Sequence, residues 1–273
     1  MGLATGKKVG LALGSGAALG LAHAGVLKTL EKAGVPINII AGTSAGALIG
    51  ALYARGKSAD QIEDLVLEQI DWKKLPRLLD LTLPRTGFIA GRRLMNLIRQ
   101  VIGGDLDFAG LSIPFACAAT DIDTGEEVVL RQGSVAEAIR ASISIPVIFA
   151  VATYGGRRLV DGLLTNPVPA SLARQMGADY VIAVNVLPER LEAMPGAAGK
   201  AAVHNIFNVI LQSIYITTHQ HVQTCLKGAD LVIQPRVGHI GAGEFHRARE
   251  LFSEGEAAAG AMLEDIRCGL AGA

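Results

Sequence analysis

Short apolar runs ending in glycine alternate, along the first part of the chain, with longer segments whose apolar positions recur every three or four residues. Val9 to Leu13, "VGLAL", is such a run; it leads into glycines and then into residues 19–33, where Leu21, Ala24, Leu27 and Leu30 fall near helical spacing. Residues 37–41 read as a second strand and 45–54 as a helix of small residues. "SADQIEDLVLEQI" reads as a helix capped by Ser58, with Ile62, Leu65, Val66 and Ile70 on one face. Further strands are expected at 115–120, 127–131, 158–160 and 180–184, and a helix over 134–141. This succession predicts an α/β fold with a layered, mainly parallel sheet.

Three stretches stand apart from that alternation. Residues 71–90 mix Pro76 and Pro84 with Leu78, Leu79, Leu81, Leu83, Phe88, Ile89 and the sole tryptophan, a pattern suited to neither regular helix nor strand. They are expected to form a flap over one end of the sheet, touching a greasy ligand. Residues 187–202, rich in Ala, Gly and Pro, are expected to form a mobile loop. Residues 204–224 form a long helical candidate with more apolar surface than one stripe requires, which favours burial against the sheet or another subunit over a membrane face. With no repeat and no boundary signal, residues 1–273 read as a single domain.

Composition narrows the function. Half the residues are apolar, enough for a sizeable core, and 25 Lys and Arg balance 25 Asp and Glu, which removes the basic footprint of a nucleic-acid binder. Cys117, Cys225 and Cys268 are isolated, so neither a disulfide framework nor a zinc site is indicated. The N-terminus lacks a signal-peptide core and the myristoylation pattern, and no apolar run approaches the ~20 residues that span a bilayer. The expected location is the cytoplasm.

The chemistry lies in glycine-flanked motifs. In "IIAGTSAGAL", Gly42 and Gly46 flank Ser44 in a strand-turn-helix setting, the G-x-S-x-G nucleophile elbow, which sets the serine Oγ at a helix N-terminus. "GLALGSGAALG" at 10–20 follows a strand and opens a helix. A dinucleotide site would need a carboxylate at the end of the second strand, where this chain has none, and "GKS" at 56–58 lacks the upstream glycine of a P-loop. The loop is therefore read as an oxyanion hole serving Ser44. Its base is open on spacing alone: a histidine, with His239 in "VGHIGAG" the best placed, or Asp161 in "VDG", which needs desolvation to raise its basicity. His23 reads as a core or rim residue.

Taken in order, "GSGAALGLAHAGVL", "GTSAG" and "DG", with "ATDIDTGEEVVL", "IRASISIPVIF", "VDGLLTNPVP" and "IQPRVGHIG", resemble the patatin-like phospholipases, bacterial branch, over nearly the whole chain. The resemblance implies a three-layer α/β/α fold and a Ser44–Asp161 dyad without catalytic histidine. It also implies an oxyanion hole from backbone N–H groups around Gly14, Ser15, Gly16 and Ala17, with no metal and no cofactor. The implied substrates are acyl esters of phospholipids, lysophospholipids or neutral lipids, met in peripheral contact with a membrane; nothing in the motifs sets the oligomeric state. One departure stands out: Leu19 occupies the position of the family's Arg or Lys, which leaves a catalytically weak or silent lipid-binding module as the competing reading, beside a Ser-Asp-His esterase or thioesterase.

Overall fold

A computed structural model describes residues 6–68, 87–89, 91–188 and 206–271, with the backbone alone over 87–89 and 206–212. Its strands are β1 (Val9–Leu13), β2 (Ile39–Thr43), β3 (Gly87–Ile89), β4 (Phe115–Asp121), β5 (Glu127–Leu130), β6 (Val147–Phe149), β7 (Ala152–Tyr154), β8 (Arg157–Asp161), β9 (Tyr180–Val184) and β10 (Leu231–Ile233). The α-helices are α1 (Ala22–Lys32), α2 (Ala45–Ala54), α3 (Ala59–Glu68), α4 (Arg92–Ile102), α5 (Val135–Ser142), α6 (Ala170–Gln175), α7 (Ile206–Leu226), α8 (Ala248–Ala261) and α9 (Leu263–Ala271).

The main sheet runs β10-β9-β1-β2-β4-β8-β7, with β5 on the other edge of β4. From β10 to β4 every pairing is parallel, whereas β5, β7 and β8 pair antiparallel, so the sheet is mixed with a parallel centre. Period-two alternation sorts the side chains of the central strands into two cores. Leu11, Leu13, Ile40, Cys117, Ile182 and Val184 face one side, and the smaller Ala12, Ala41, Ala116 and Ala183 the other. The bulky face is covered by helices including α1, α2, α5 and α8; the small-residue face lies under α6 and α7, from which Tyr215 and Val222 point inward. The result is the expected three-layer arrangement.

Several boundaries differ from the sequence reading. The second strand is Ile39–Thr43 and not 37–41, because Asn38 meets Val9 through its side chain and the regular ladder with β1 starts one residue later, at Gly10 and Ile39. The helix expected from residue 19 is split into a 3-10 turn, Ala17–Leu21, followed by α1. The flap assigned to 71–90 lies outside the described residues except at 87–89. Residues 87–89, read as irregular, form a short strand because Val147–Phe149 supplies a parallel partner from sixty residues downstream. The loop expected at 187–202 lies outside the described residues beyond 188.

Candidate active site

Register explains why Ser44 and Asp161 meet. β2 pairs with β4 up to Thr43 opposite Ala118, and β8 takes over the same edge of β4 from Asp161 opposite Ala119. The C-terminal ends of β2 and β8 therefore point at one another, and the residues that close them come together. Ser44 Oγ donates to Asp161 Oδ2 at 2.7 Å, with the two residues 3% and 1% exposed.

The turn that presents Ser44 is strained, with φ 54° and ψ −119° at a residue that carries a side chain. Its glycines are sterically required: a Cβ at Gly42 would lie 2.6 Å from Ala47 Cα, and one at Gly46 would overlap the Leu13 carbonyl at the end of β1. Gly46 thus lets the elbow sit directly on the strand that feeds the glycine loop. Ser142, at the end of α5, holds the strained peptide: its Oγ accepts from Ser44 N–H at 2.9 Å and donates to Ala118 O at 2.7 Å.

Asp161 is fixed with equal care. Oδ1 accepts from Leu163 N–H at 2.8 Å, the backbone N–H donates to Ser144 O at 2.9 Å, and the carbonyl accepts from Thr120 Oγ1 at 3.0 Å. Burial pushes the carboxyl up from 3.8 to about 7, against the lowering effect of the bonds from Leu163 and Ser44. A carboxyl so placed can accept a proton near neutrality. Tyr215 on α7 lies close enough that the Asp161 charge adds to burial in raising the phenol above its ordinary range.

The segment after Asp161 ties three elements together. Thr43 Oγ1 donates to Asn166 O at 2.7 Å, and Ser15 N–H donates to Pro167 O at 2.8 Å, so this segment holds both the end of β2 and the glycine loop. Within that loop the N–H of Gly14 donates to Val184 O at 3.0 Å, which leaves Gly14 and Ser15 without a free donor. Gly16 and Ala17 differ: their N–H groups have no acceptor among the described residues, as is true of Ala45 at the first turn of α2. Ala17 is held at φ 49°, and Ala18 N–H is anchored to Ala242 O. Leu19, where the resemblance leads one to expect a cation, is buried in the main core.

The histidine alternative finds no geometric basis. His239 is exposed, and its Nε2 lies 2.9 Å from Glu250 Oε1 on α8. No described histidine hydrogen-bonds to Ser44 or Asp161, and the His239 segment serves instead through the Ala242 carbonyl. Among the described residues no group of three or more His, Cys, Asp or Glu side chains converges as a metal site would.

A mixed α/β sheet with helices on both faces, bringing a strained serine against a buried carboxylate beside a glycine loop, sets the chain among α/β proteins built around a Ser-Asp pair. The chain belongs to the patatin-like phospholipase family, whose family model matches residues 11–174. It is 38% identical over 189 residues to the mouse Patatin-like phospholipase domain-containing protein 6, covering 67% of this chain and 14% of that protein. It is 35% identical over 179 residues to an uncharacterized NTE family protein of Mycobacterium tuberculosis, covering 66% of this chain and 49% of the relative. A lysophospholipase of Debaryomyces hansenii is 34% identical over 184 residues, covering 66% of this chain and 12% of its own length. The chain thus spans half or less of the length of these relatives. The crystal structure of VipD from Legionella pneumophila shares the fold, with TM-score 0.65 at 14% identity, covering 95% of this chain and 67% of that one.

Sequence reasoning missed Ser142, Asn166 and Tyr215. Ser142 sits in "RASIS", an ordinary small-residue stretch, and its partner Ser44 is 98 positions away. Only the folded register brings the two together.

Proposed function

We propose that this chain is a serine acyl hydrolase of lipid esters, in which Ser44 is the nucleophile and Asp161 its base. The observation that carries the reading is the 2.7 Å bond from Ser44 Oγ to a carboxylate whose burial raises its pKa to about 7. Asp161 takes the Oγ proton as Oγ attacks the ester carbonyl; the carbonyl electrons move onto oxygen, and the oxyanion is received by the N–H groups of Gly16 and Ala17. Collapse of this intermediate breaks the ester C–O bond, Asp161 returns the proton to the leaving alcohol, and water repeats the sequence on the acyl-serine. Gly14 and Ser15 enter as the frame of the oxyanion hole and not as its donors, since their N–H groups are engaged elsewhere.

Relatives named as phospholipases and a lysophospholipase support glycerophospholipids or their lyso forms as the substrate class. The chain meets them peripherally at a membrane surface from the cytoplasm; among the described residues no helix is long and apolar enough to cross a bilayer. The silent-module reading is favoured by one observation, the buried Leu19 in place of a cation. Release of free fatty acid from lysophosphatidylcholine micelles separates the two. The hydrolase reading expects release by the wild type and none by Asp161→Asn; a folded wild type that releases no fatty acid from lyso- or diacyl-phospholipids supports the silent module.

A further inference from the structure

The peptide that joins Gly14 to Ser15 is held at both ends. Its carbonyl lies 2.7 Å from His23 Nε2, and its N–H donates to Pro167 O at 2.8 Å. A peptide unit is planar, so two such bonds fix its plane. A carbonyl oxygen can only accept, which assigns the proton to Nε2 and leaves Nδ1 as the lone-pair nitrogen. Nδ1 is buried and has no hydrogen-bond partner among the described residues. His23 is therefore more than a satisfied core residue: an apolar side chain would fill the same space without an orphaned nitrogen, and burying that nitrogen costs stability. What the histidine supplies in return is its one hydrogen bond, and that bond ends on the loop beside Ser44.

We propose that His23 is a positioning residue for the oxyanion loop. By donating from Nε2 to the Gly14 carbonyl, it sets the Gly14–Ser15 peptide so that the next two N–H groups, of Gly16 and Ala17, face the acyl oxygen. This role rests on the hydrolase reading above. It also answers how the loop is held where Leu19 offers no cation: the Gly14 carbonyl is taken by a neutral donor, and Leu19 packs in the core with its own N–H on Gly16 O. Burial keeps the imidazole neutral, lowering its pKa to about 4 despite the opposing effect of the Gly14 bond, so the donor is unchanged across the working pH range.

The test compares wild type, His23→Leu and His23→Gln, reading kcat and KM on a short soluble p-nitrophenyl ester and amide hydrogen exchange at Ser15 by NMR. The glutamine amide reaches the place of Nε2; leucine fills the space without a donor. His23→Leu is expected to lose about 10- to 100-fold in kcat, short of the ~10²- to 10³-fold seen when an oxyanion donor is removed outright. Its KM should be nearly unchanged and its Ser15 amide should exchange at least about tenfold faster, with His23→Gln recovering most of both. Should His23→Leu fail to fold, His23→Asn replaces it, since its shorter amide cannot reach Gly14. Wild-type kcat in the donorless variant, unaltered Ser15 exchange, or a loss that glutamine does not relieve would overturn the proposal. A wild type that neither hydrolyses the ester nor labels at Ser44 would refute the hydrolase reading instead, and Ser15 exchange alone would then decide the role of His23.

Discussion

Asp161→Asn is expected to abolish turnover and yet stabilise the protein, increasingly so as pH rises. The folded carboxyl has its pKa raised from 3.8 to about 7, first by burial. Between those pH values the folded protein keeps a proton that the unfolded chain has released, so wild-type stability falls as pH rises through this window and levels off above about pH 7. The amide of the variant does not titrate. Any difference in its hydrogen bonds is independent of pH and cancels when two pH values are compared, as does the contribution of His23, present in both proteins. Between pH 5 and pH 8 the variant's advantage should therefore grow by roughly 2–3 kcal/mol, or about 5–10 °C in Tm for a domain of this size. Thermal unfolding at both pH values measures it. In parallel, wild-type kcat/KM should rise about 100-fold from pH 5 to a plateau near pH 8, because only about 1% of a base with pKa about 7 is ionised at pH 5. A Tm difference that is the same at pH 5 and pH 8 would show that the carboxylate is not desolvated, and the argument for its basicity would fail.

Other perturbations follow from the same contacts. Ser142→Ala strands the buried Ser44 N–H and should cost about 1–3 kcal/mol in urea unfolding while lowering kcat more than it raises KM; an unchanged kcat would free the elbow from this support. Lys28 on α1 binds Glu63 at 2.7 Å, Asp60 at 3.1 Å and Glu256 at 3.5 Å, linking α1 to α3 and α8. Lys28→Met should therefore lower Tm by several degrees and leave kcat/KM intact, and a catalytic defect at unchanged Tm would contradict that structural role. Wild-type minus His23→Gln stability should shrink as pH falls from about 6.5 towards 4, where the unfolded chain takes up a proton that the buried imidazole refuses; a pH-independent difference would place the ring in contact with solvent.

What the sequence disclosed, and what it did not, has a physical division. β1, β4 and β9 were readable because five to seven consecutive residues are buried in each, and Ser44 because the glycines on either side of it are demanded by the turn itself. Asp161 was visible as a strand-end carboxylate, but its basicity was not, since burial is a property of the whole fold. The short strands β3, β6, β7 and β10 carry three residues each, too few for a period to register. α4 escaped notice although Leu94, Leu97, Ile98, Val101 and Ile102 fall at helical spacing, because it follows the leucine- and proline-rich stretch read as a flap. Ser142 acts through the backbone of Ser44 and Ala118, Asn166 through its own carbonyl, which accepts from Thr43 Oγ1, and His23 through the Gly14 carbonyl, and bonds made between separate segments leave no trace in local composition.

The central claim is that Ser44 is a nucleophile activated by its buried neighbour. Incubation of the folded protein with a fluorophosphonate at pH 8, followed by intact mass and peptide mapping, tests it most directly. The account predicts one adduct per chain, on Ser44, formed at least about 100-fold more slowly in Asp161→Asn and absent in Ser44→Ala. An adduct on another residue, or labelling of Asp161→Asn at the wild-type rate, would contradict it.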